Sequence, residues 1–240
     1  MPEATDGTKQ DSGAPRRRVA IWDLPTRLFH WLLAALVCAA WITGQLDKLD
    51  IHMWIGEAIL ALIIFRIAWG LVGSRHSRFR DFLAGPRTVW IHIREMIDVL
   101  RRGPAGSHKH AGQGHTALGG WMILLMLLVL LAQTGAGLFA TDDIVTDGPL
   151  NHLVASRTGK LLSSIHSIGG TVILIMGLVH VAVALFYLWR KRENLILPMI
   201  TGRKNIPADM AGDEGRFASP WLALALFIVA LALVRAIISL

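Results

Sequence analysis

Four histidines lie inside apolar stretches of this 240-residue sequence, where an imidazole without a partner is costly to bury. They are His30, His52, His166 and His180. The last two bound the segment HSIGGTVILIMGLVH. Fourteen residues of helix return to within roughly 40° of the starting face and advance about 21 Å. His166 and His180 therefore share one helix face at two depths, and each needs a partner at its own depth.

The elements that position these histidines are predicted to be transmembrane helices. Hydrophobic residues make up 53% of the chain and charged residues 17%, with a mean hydropathy of +0.50, which excludes an ordinary soluble domain. Five apolar windows are each long enough to cross a hydrocarbon core of roughly 30 Å. They cover about 28–46, 51–71, 117–139, 161–189 and 220–240. Because none alternates like a barrel strand, we predict an all-α integral membrane protein, a four-helix bundle with a fifth carboxyl-terminal helix.

The positions of Lys and Arg predict how the helices are oriented. The loop 73–116 is rich in arginine, whereas the two connections at the other ends of the helices are short and more acidic. Since basic residues beside spans stay in the cytoplasm, we predict a cytoplasmic amino terminus and a basic cytoplasmic loop. The net charge of +7 then reflects topology and contact with anionic membrane lipid, and no nucleic-acid partner is expected.

The chain is predicted to consist of three parts. Residues 1–18 are polar and are expected to form a disordered cytoplasmic tail, and residues 19–204 form the transmembrane domain. Residues 205–240 form a cytoplasmic linker and the fifth transmembrane helix. Within the basic loop, RTVWIHIREMIDVLRR places apolar residues on one side and arginines elsewhere, which predicts a helix on the membrane surface.

In this topology the four histidines form two pairs at two depths. His30 opens the first helix at the inner side, level with His180, and His52 opens the second at the outer side, level with His166. Two neutral imidazoles facing each other across a bundle are suited to be axial ligands of a haem iron, so two pairs predict two haems. The single cysteine, Cys38, lies inside a span, which excludes a covalent CxxCH attachment.

Three further residues are candidates for binding the cofactor. Gly56 and Gly170 each lie one turn after a histidine, where the absence of a side chain would let a flat macrocycle approach the backbone. Arg66 lies fourteen residues after His52 at the inner end of the same helix, where it could pair with haem propionates. The alternatives are close helix packing for the glycines and snorkelling to the inner surface for the arginine.

Three segments resemble the haem-binding segments of the bacterial cytochrome b561 family, which includes b-type cytochrome subunits of nickel-iron hydrogenases and formate dehydrogenases. They are RLFHW at 27–31, IHMWIGEAILALIIFR at 51–66 and HSIGGTVILIMGLVH at 166–180. The resemblance covers about residues 18–204, and the fifth span departs from the four-helix pattern. It implies that His30 and His180 ligate the inner haem b, and that His52 and His166 ligate the outer one.

The resemblance also implies what the protein does. It implies electron transfer across a bacterial cell inner membrane through two haems b, with membrane quinone as one redox partner. The other partner is a periplasmic redox protein, such as a cytochrome c or a hydrogenase-like complex. Whether the protein is a quinone oxidoreductase and whether it forms a homodimer stay open. A transporter that binds a transition metal or protons through its histidines is the competing hypothesis, and a purely structural anchor is a third.

Overall fold

The computed structural model describes residues 16–102, 116–142, 146–190, 192–207 and 217–240. Its elements are mostly helices, with one small pair of strands. In chain order they are β1 Arg16–Ala20, α1 Leu24–Gln45, α2 Leu49–Val72, α3 Phe79–Phe82, α4 Pro86–Arg102, α5 Ala117–Gly137, α6 Ser156–Trp189, α7 Ile196–Thr201, β2 Arg203–Pro207 and α8 Pro220–Ile238. Single 3-10 turns lie at Arg75–Ser77 and Asn151–Leu153.

Five of the described helices are long and apolar enough to span a membrane: α1, α2, α5, α6 and α8. Their bounds agree with the predicted windows to within a few residues, so the predicted class of all-α membrane protein is confirmed. Three of them begin at a polar side chain that caps free backbone N–H groups. The capping residues are Asp23 for α1, Thr116 for α5 and Ser219 for α8.

Helix α2 is the centre of the bundle. Half of its most apolar window is buried, against 6% for α1 and for α6. Helices α1, α5 and α8 all pack on it, while α6 packs mainly on α5. Apolarity alone does not explain this placement, since α6 and α8 are more apolar than α2 and are less buried.

The fifth helix, α8, covers one flank of α2. Ala223, Ala230 and Val234 are buried in this contact. At one end the Ala218 backbone N–H donates to Ser74 Oγ at 3.0 Å, and at the other Arg235 Nη1 lies 3.5 Å from Glu57 Oε2. The two helices are therefore antiparallel, and the predicted fifth span forms part of the bundle.

The bundle has two distinct ends. We call the end that holds the start of α1, the end of α2 and the end of α6 the basic end, because the arginine-rich loop lies there. The other end holds the α1–α2 turn and the connection between α5 and α6, and we call it the opposite end.

The two strands correct part of the predicted organisation. β1 pairs antiparallel with β2, with Arg18 opposite Asn205, and Val19 in β1 is almost fully buried. The prediction of a disordered tail is therefore wrong for residues 16–18, and the predicted boundary after residue 204 falls inside β2. The polar composition of these residues predicts a tail. Sequence analysis does not detect the strand because its partner, β2, lies far away in the chain. Residues 1–15 and 103–115 of the predicted tail and basic loop lie outside the described residues.

The predicted surface helix in the basic loop is α4, and it packs against α5. Val89 and Ile93 are half-buried, whereas Ile97 is exposed. Trp121 at the start of α5 donates from Nε1 to the Ala84 carbonyl just before α4, at 2.9 Å. The helix therefore has one face on the bundle, which brings its polar side chains close to the basic end.

Candidate functional site

The four intramembrane histidines lie in two pairs, as expected from their depths. At the basic end the ring centres of His30 in α1 and His180 in α6 are 6.1 Å apart. At the opposite end the ring centres of His52 in α2 and His166 in α6 are 5.8 Å apart. Helix α6 therefore contributes one histidine to each pair, and the two sites are separated along its axis.

These separations match what a shared metal ion requires. A bond from a metal to an imidazole nitrogen is about 2 Å long, and the nitrogen lies about 1 Å from the ring centre. Two imidazoles that bind one ion from opposite sides therefore have ring centres about 6 Å apart. Both pairs meet this condition, and the donor set of two neutral imidazoles is one that haem iron accepts.

The histidines of the opposite-end pair are oriented by backbone carbonyls. His52 Nδ1 lies 2.9 Å from the Ala40 carbonyl oxygen, and His166 Nδ1 lies 3.0 Å from that of Gln133. Because a carbonyl oxygen only accepts, each Nδ1 must carry the proton, and each Nε2 keeps its lone pair. This is the arrangement that orients a histidine for metal binding through Nε2.

Gln133 holds α5 and α6 together at this site. Its side-chain Nε2 donates to the His166 carbonyl at 2.8 Å, while its own carbonyl accepts from the His166 ring. Through these two contacts the glutamine bonds one helix to the other. A lone glutamine inside an apolar run was the available signal.

Two glycines that sequence analysis did not select lie directly against these histidines. A Cβ at Gly137 would be 2.8 Å from His166 Cε1, and a Cβ at Gly44 would be 3.3 Å from His52 Nδ1. The predicted glycines are less confined: at Gly170 the nearest atom is 3.7 Å away, and at Gly56 no described heavy atom lies within 4 Å. Close helix packing therefore does not explain Gly56, which leaves space one turn from the histidine pair.

The basic-end pair is held by different contacts. Trp31 lies edge-on to the His30 ring, with centres 5.0 Å apart, and its own Nε1 donates to the Met199 carbonyl at 3.2 Å. Arg27, one turn earlier, donates to the Ile200 carbonyl, so the start of α1 is fixed to α7. His30 Nδ1 is buried and has no hydrogen-bond partner among the described residues.

Arg66 is deeply buried near the basic end, with only 2% of its surface exposed. Its guanidinium carbon lies 5.2 to 6.0 Å from the ring centres of Phe29, Phe79 and Phe82. Its Nη1 has no hydrogen-bond partner among the described residues. The side chain therefore does not snorkel to the surface. Its Nη1 can donate a hydrogen bond to an anionic group.

Buried hydrogen bonds around Asp23 join the start of α1 to the end of α2 and to the turn after it. Sequence analysis did not predict this network. Asp23 Oδ1 accepts from the Thr26 backbone N–H at 2.7 Å, and Oδ2 accepts from Trp69 Nε1 and from Ser77 Oγ, each at 3.1 Å. Ser77 Oγ and Thr26 Oγ1 are 2.7 Å apart. The carboxylate also attracts the buried Arg66 guanidinium. The aspartate before LPTRLF is a helix-cap signal, but its other partners are distant in sequence.

Comparison with known proteins agrees with this arrangement. The sequence profile described as prokaryotic cytochrome b561 matches residues 21–202, which contain both histidine pairs. The chain belongs to the prokaryotic cytochrome b561 family. The resemblance noted in the sequence is therefore confirmed. The protein is a multi-pass membrane cytochrome b of electron transport, and its family implies haem b.

Two curated relatives of this cytochrome b561 share the description "Probable Ni/Fe-hydrogenase B-type cytochrome subunit". The Rhodobacter capsulatus relative is 23% identical over 85% of this chain and 88% of its own length. The Rhizobium leguminosarum bv. viciae relative is 26% identical over 79% and 90%. An Escherichia coli K12 relative, described as the hydrogenase 1 subunit, is 22% identical over 77% and 90%. No solved structure matches the chain significantly.

We expect Gly137→Ala to weaken haem binding at the opposite end only. The added methyl group would lie 2.8 Å from His166 Cε1, so the ring must shift away from the position that Gln133 sets. Gly135→Ala is the matched control, because no described heavy atom lies within 4 Å of a Cβ there. Haem content and the reduced visible spectrum of the purified variants measure the difference. Equal spectra for the two variants would show that this glycine contact is unimportant.

Proposed function

We propose that this cytochrome b561 carries electrons across the membrane through two haems b, one bound by each histidine pair. The observation that carries the proposal is the presence of two pairs at opposite ends of α6, each with a ring-centre separation suited to one iron. Bound haem b changes between ferric and ferrous iron and so supplies one-electron transfer. Two histidine ligands leave no position on the iron for oxygen or substrate, which favours electron transfer over oxygen chemistry.

The residues around the pairs support this assignment. At the opposite end, the carbonyls of Ala40 and Gln133 hold both rings with Nε2 available for the iron. At the basic end, Arg66 would pair with a haem propionate through its free Nη1. Gly56 and Gly170 would admit the edge of a macrocycle at the opposite end, since neither position is crowded. A structural anchor requires none of these features.

We also propose the partners and the orientation. The basic end faces the cytoplasm of a bacterial cell with the inner membrane around the bundle, because the arginines between α2 and α5 favour retention on that side. Membrane quinone exchanges electrons at the basic end. A hydrogenase-like complex, as the names of the relatives suggest, or a periplasmic cytochrome c exchanges them at the opposite end.

Optical spectroscopy of the purified protein tests this proposal. We expect sharp b-type α bands in the dithionite-reduced minus oxidised spectrum, with two haems per chain by pyridine haemochrome assay. We also expect a short-chain quinol to reduce the haems. A protein without b-type bands would contradict the cytochrome assignment, and a single haem per chain would contradict the two-site arrangement. Bands that dithionite reduces and quinol does not would contradict the quinone assignment alone.

A further inference from the structure

The chain has one tyrosine, and it lies where a proton could pass between the basic-end histidines and water. Tyr187, in the last turn of α6, is only 3% exposed. It follows His180 by seven residues, so it lies within roughly 20° of the same helix face and about 10 Å closer to the end of the helix. Its place on α6 therefore lies between the level of the His30–His180 pair and the end of the helix.

Tyr187 is the first of three groups that lead outward. Its hydroxyl lies 2.9 Å from Nε2 of His92, in the surface helix α4. Nδ1 of the same histidine lies 3.9 Å from Oε2 of Glu95, one turn further along α4. The exposed fraction of the side chain rises from 12% for His92 to 35% for Glu95. The phenol, the imidazole and the carboxylate thus form a series from the buried interior to water.

Other polar groups surround the tyrosine without interrupting this series. The Thr116 side chain, just before α5, hydrogen-bonds to the phenol, and the carboxylates of Glu193 and Glu95 both act on it electrostatically. Glu193 is held in an ion pair with Lys204, whose Nζ lies 2.7 Å from Oε1. The charge of Glu193 is therefore already balanced, whereas Glu95 is the carboxylate that the His92 ring faces.

We propose that Tyr187, His92 and Glu95 form a proton relay for quinone chemistry at the basic end. The relay rests on the proposed function. A quinol that loses two electrons must break two O–H bonds and release two protons. The electrons pass one at a time to the basic-end haem, and the protons need a separate path. A membrane electron carrier at this end requires such a path, because the hydrocarbon core offers no water to accept protons.

Each proton transfer leaves the relay unchanged. A proton from the quinol oxygen binds to Tyr187 Oη while the tyrosine's own proton moves to Nε2 of His92. The imidazolium then releases the proton on Nδ1 to the Glu95 carboxylate, which closes the 3.9 Å gap by rotation of its partly exposed side chain, and Glu95 gives the proton to water. Rotation of the imidazole and the phenol returns both to their starting state. Quinone reduction uses the same steps in reverse.

A purely structural role of Tyr187 and His92 would require only a hydrogen bond between them, without a carboxylate beside the imidazole. One hydrogen bond between Tyr187 and His92 is enough to fix α4 to α6, and any donor and acceptor pair could form it. The additional carboxylate beyond His92, and the ability of each group both to accept and to donate a proton, point to transfer.

An infrared experiment follows the relay without measuring turnover. Tyrosine labelled with ¹³C at the phenol carbon marks Tyr187 alone, because the protein contains no other tyrosine. In a time-resolved measurement we expect the labelled C–O band to shift transiently while quinol reduces the haems, as the hydrogen bond to His92 rearranges, and to return when the relay recovers its starting state. We expect no such shift when dithionite reduces the haems without quinol. An unchanged band in both experiments would overturn the proposal.

The rates of haem reduction in two variants distinguish a proton-transfer role of Tyr187 and His92 from a structural role. His92→Gln retains a side chain that can hydrogen-bond to Tyr187 but cannot carry a proton at neutral pH, and Tyr187→Phe removes the phenol hydroxyl. We expect each to slow haem reduction by quinol about 100-fold, the usual effect of losing a proton-transfer group. Reduction by dithionite and the haem spectrum should stay as in the unmodified protein.

The outcomes distinguish the relay from the function on which it rests. Normal quinol reduction in His92→Gln would overturn the relay and leave the electron-transfer proposal intact. An unmodified protein whose haems respond to dithionite and not to quinol would overturn the quinone assignment, and the relay with it. If Tyr187→Phe does not fold with its haems, His92→Gln decides the question alone.

Discussion

Replacing His180 with alanine is expected to remove one of two haems b and to leave the other in place. The ring centres of His180 and His30 are 6.1 Å apart, and under the proposed assignment a haem would lose one of the two imidazoles that would hold it between α1 and α6. His30→Ala should therefore give the same spectrum, with the haem content halved. Electron transfer across the membrane should be abolished in both variants, because the remaining haem serves only one side.

The opposite-end pair supplies the complementary variants. His52→Ala and His166→Ala should both remove the other haem, since these rings lie 5.8 Å apart and far from the basic end. His152→Ala is the control, because this histidine is exposed in the turn before α6. Pyridine haemochrome assay and redox titration identify which haem remains. Loss of the same haem from His30→Ala and from His52→Ala would refute the pairing.

Replacing Asp23 with alanine is expected to have the largest effect on stability away from the histidines. The change removes the cap of α1, worth about 1 kcal/mol, and leaves the buried Trp69 indole N–H without its acceptor, at a further 1–3 kcal/mol. It also removes the negative charge of Asp23, which stabilises the buried Arg66 guanidinium. We expect the free energy of unfolding to fall by about 3 kcal/mol.

Thermal unfolding in detergent, followed by circular dichroism, measures this change. Asp81→Ala is the matched control, because Asp81 forms partly exposed ion pairs with Arg78 and Arg80 that contribute less than about 1 kcal/mol. Asp23→Asn keeps one oxygen that can cap α1 but places an NH2 donor where Oδ2 accepts from Trp69 and Ser77, so it tests the loss of the charge together with that acceptor. Equal melting temperatures for the alanine variants of Asp23 and Asp81 would show that the network contributes little.

Helical periodicity explains why the histidine pairs could be predicted without coordinates. The fourteen-residue interval sets both the face and the depth of His166 and His180 on α6, and alternating helix direction assigns His30 and His52 to the two levels. Helical spacing determines only the depth at which each histidine lies and the helix face that carries it. Which ring atom is free to bind iron depends on the carbonyls of Ala40 and Gln133, whose positions depend on how the helices pack.

Arg66 and the strands show the opposite situation. The sequence left open whether Arg66 pairs with haem propionates or reaches the inner surface, and the structure encloses it in three phenyl rings, two of them on α3. The tail residues 16–18 form a strand because β2 lies beside them. Both outcomes depend on contacts between segments that are distant in sequence, and periodicity carries no information about such contacts.

The sequence by itself determined that this protein is a helical membrane cytochrome with paired histidines at two depths. Apolar length and helical spacing are enough for the helices and the two depths, since the membrane limits each span to a helix of known rise, and the three histidine segments carry the resemblance that implies a cytochrome. Only the tertiary structure decided that α2 is central, that α8 covers it, and that Asp23, Gln133 and Tyr187 find their particular partners. The physical reason is that lateral packing between apolar helices depends on shape and on a few polar contacts, and neither repeats along the chain.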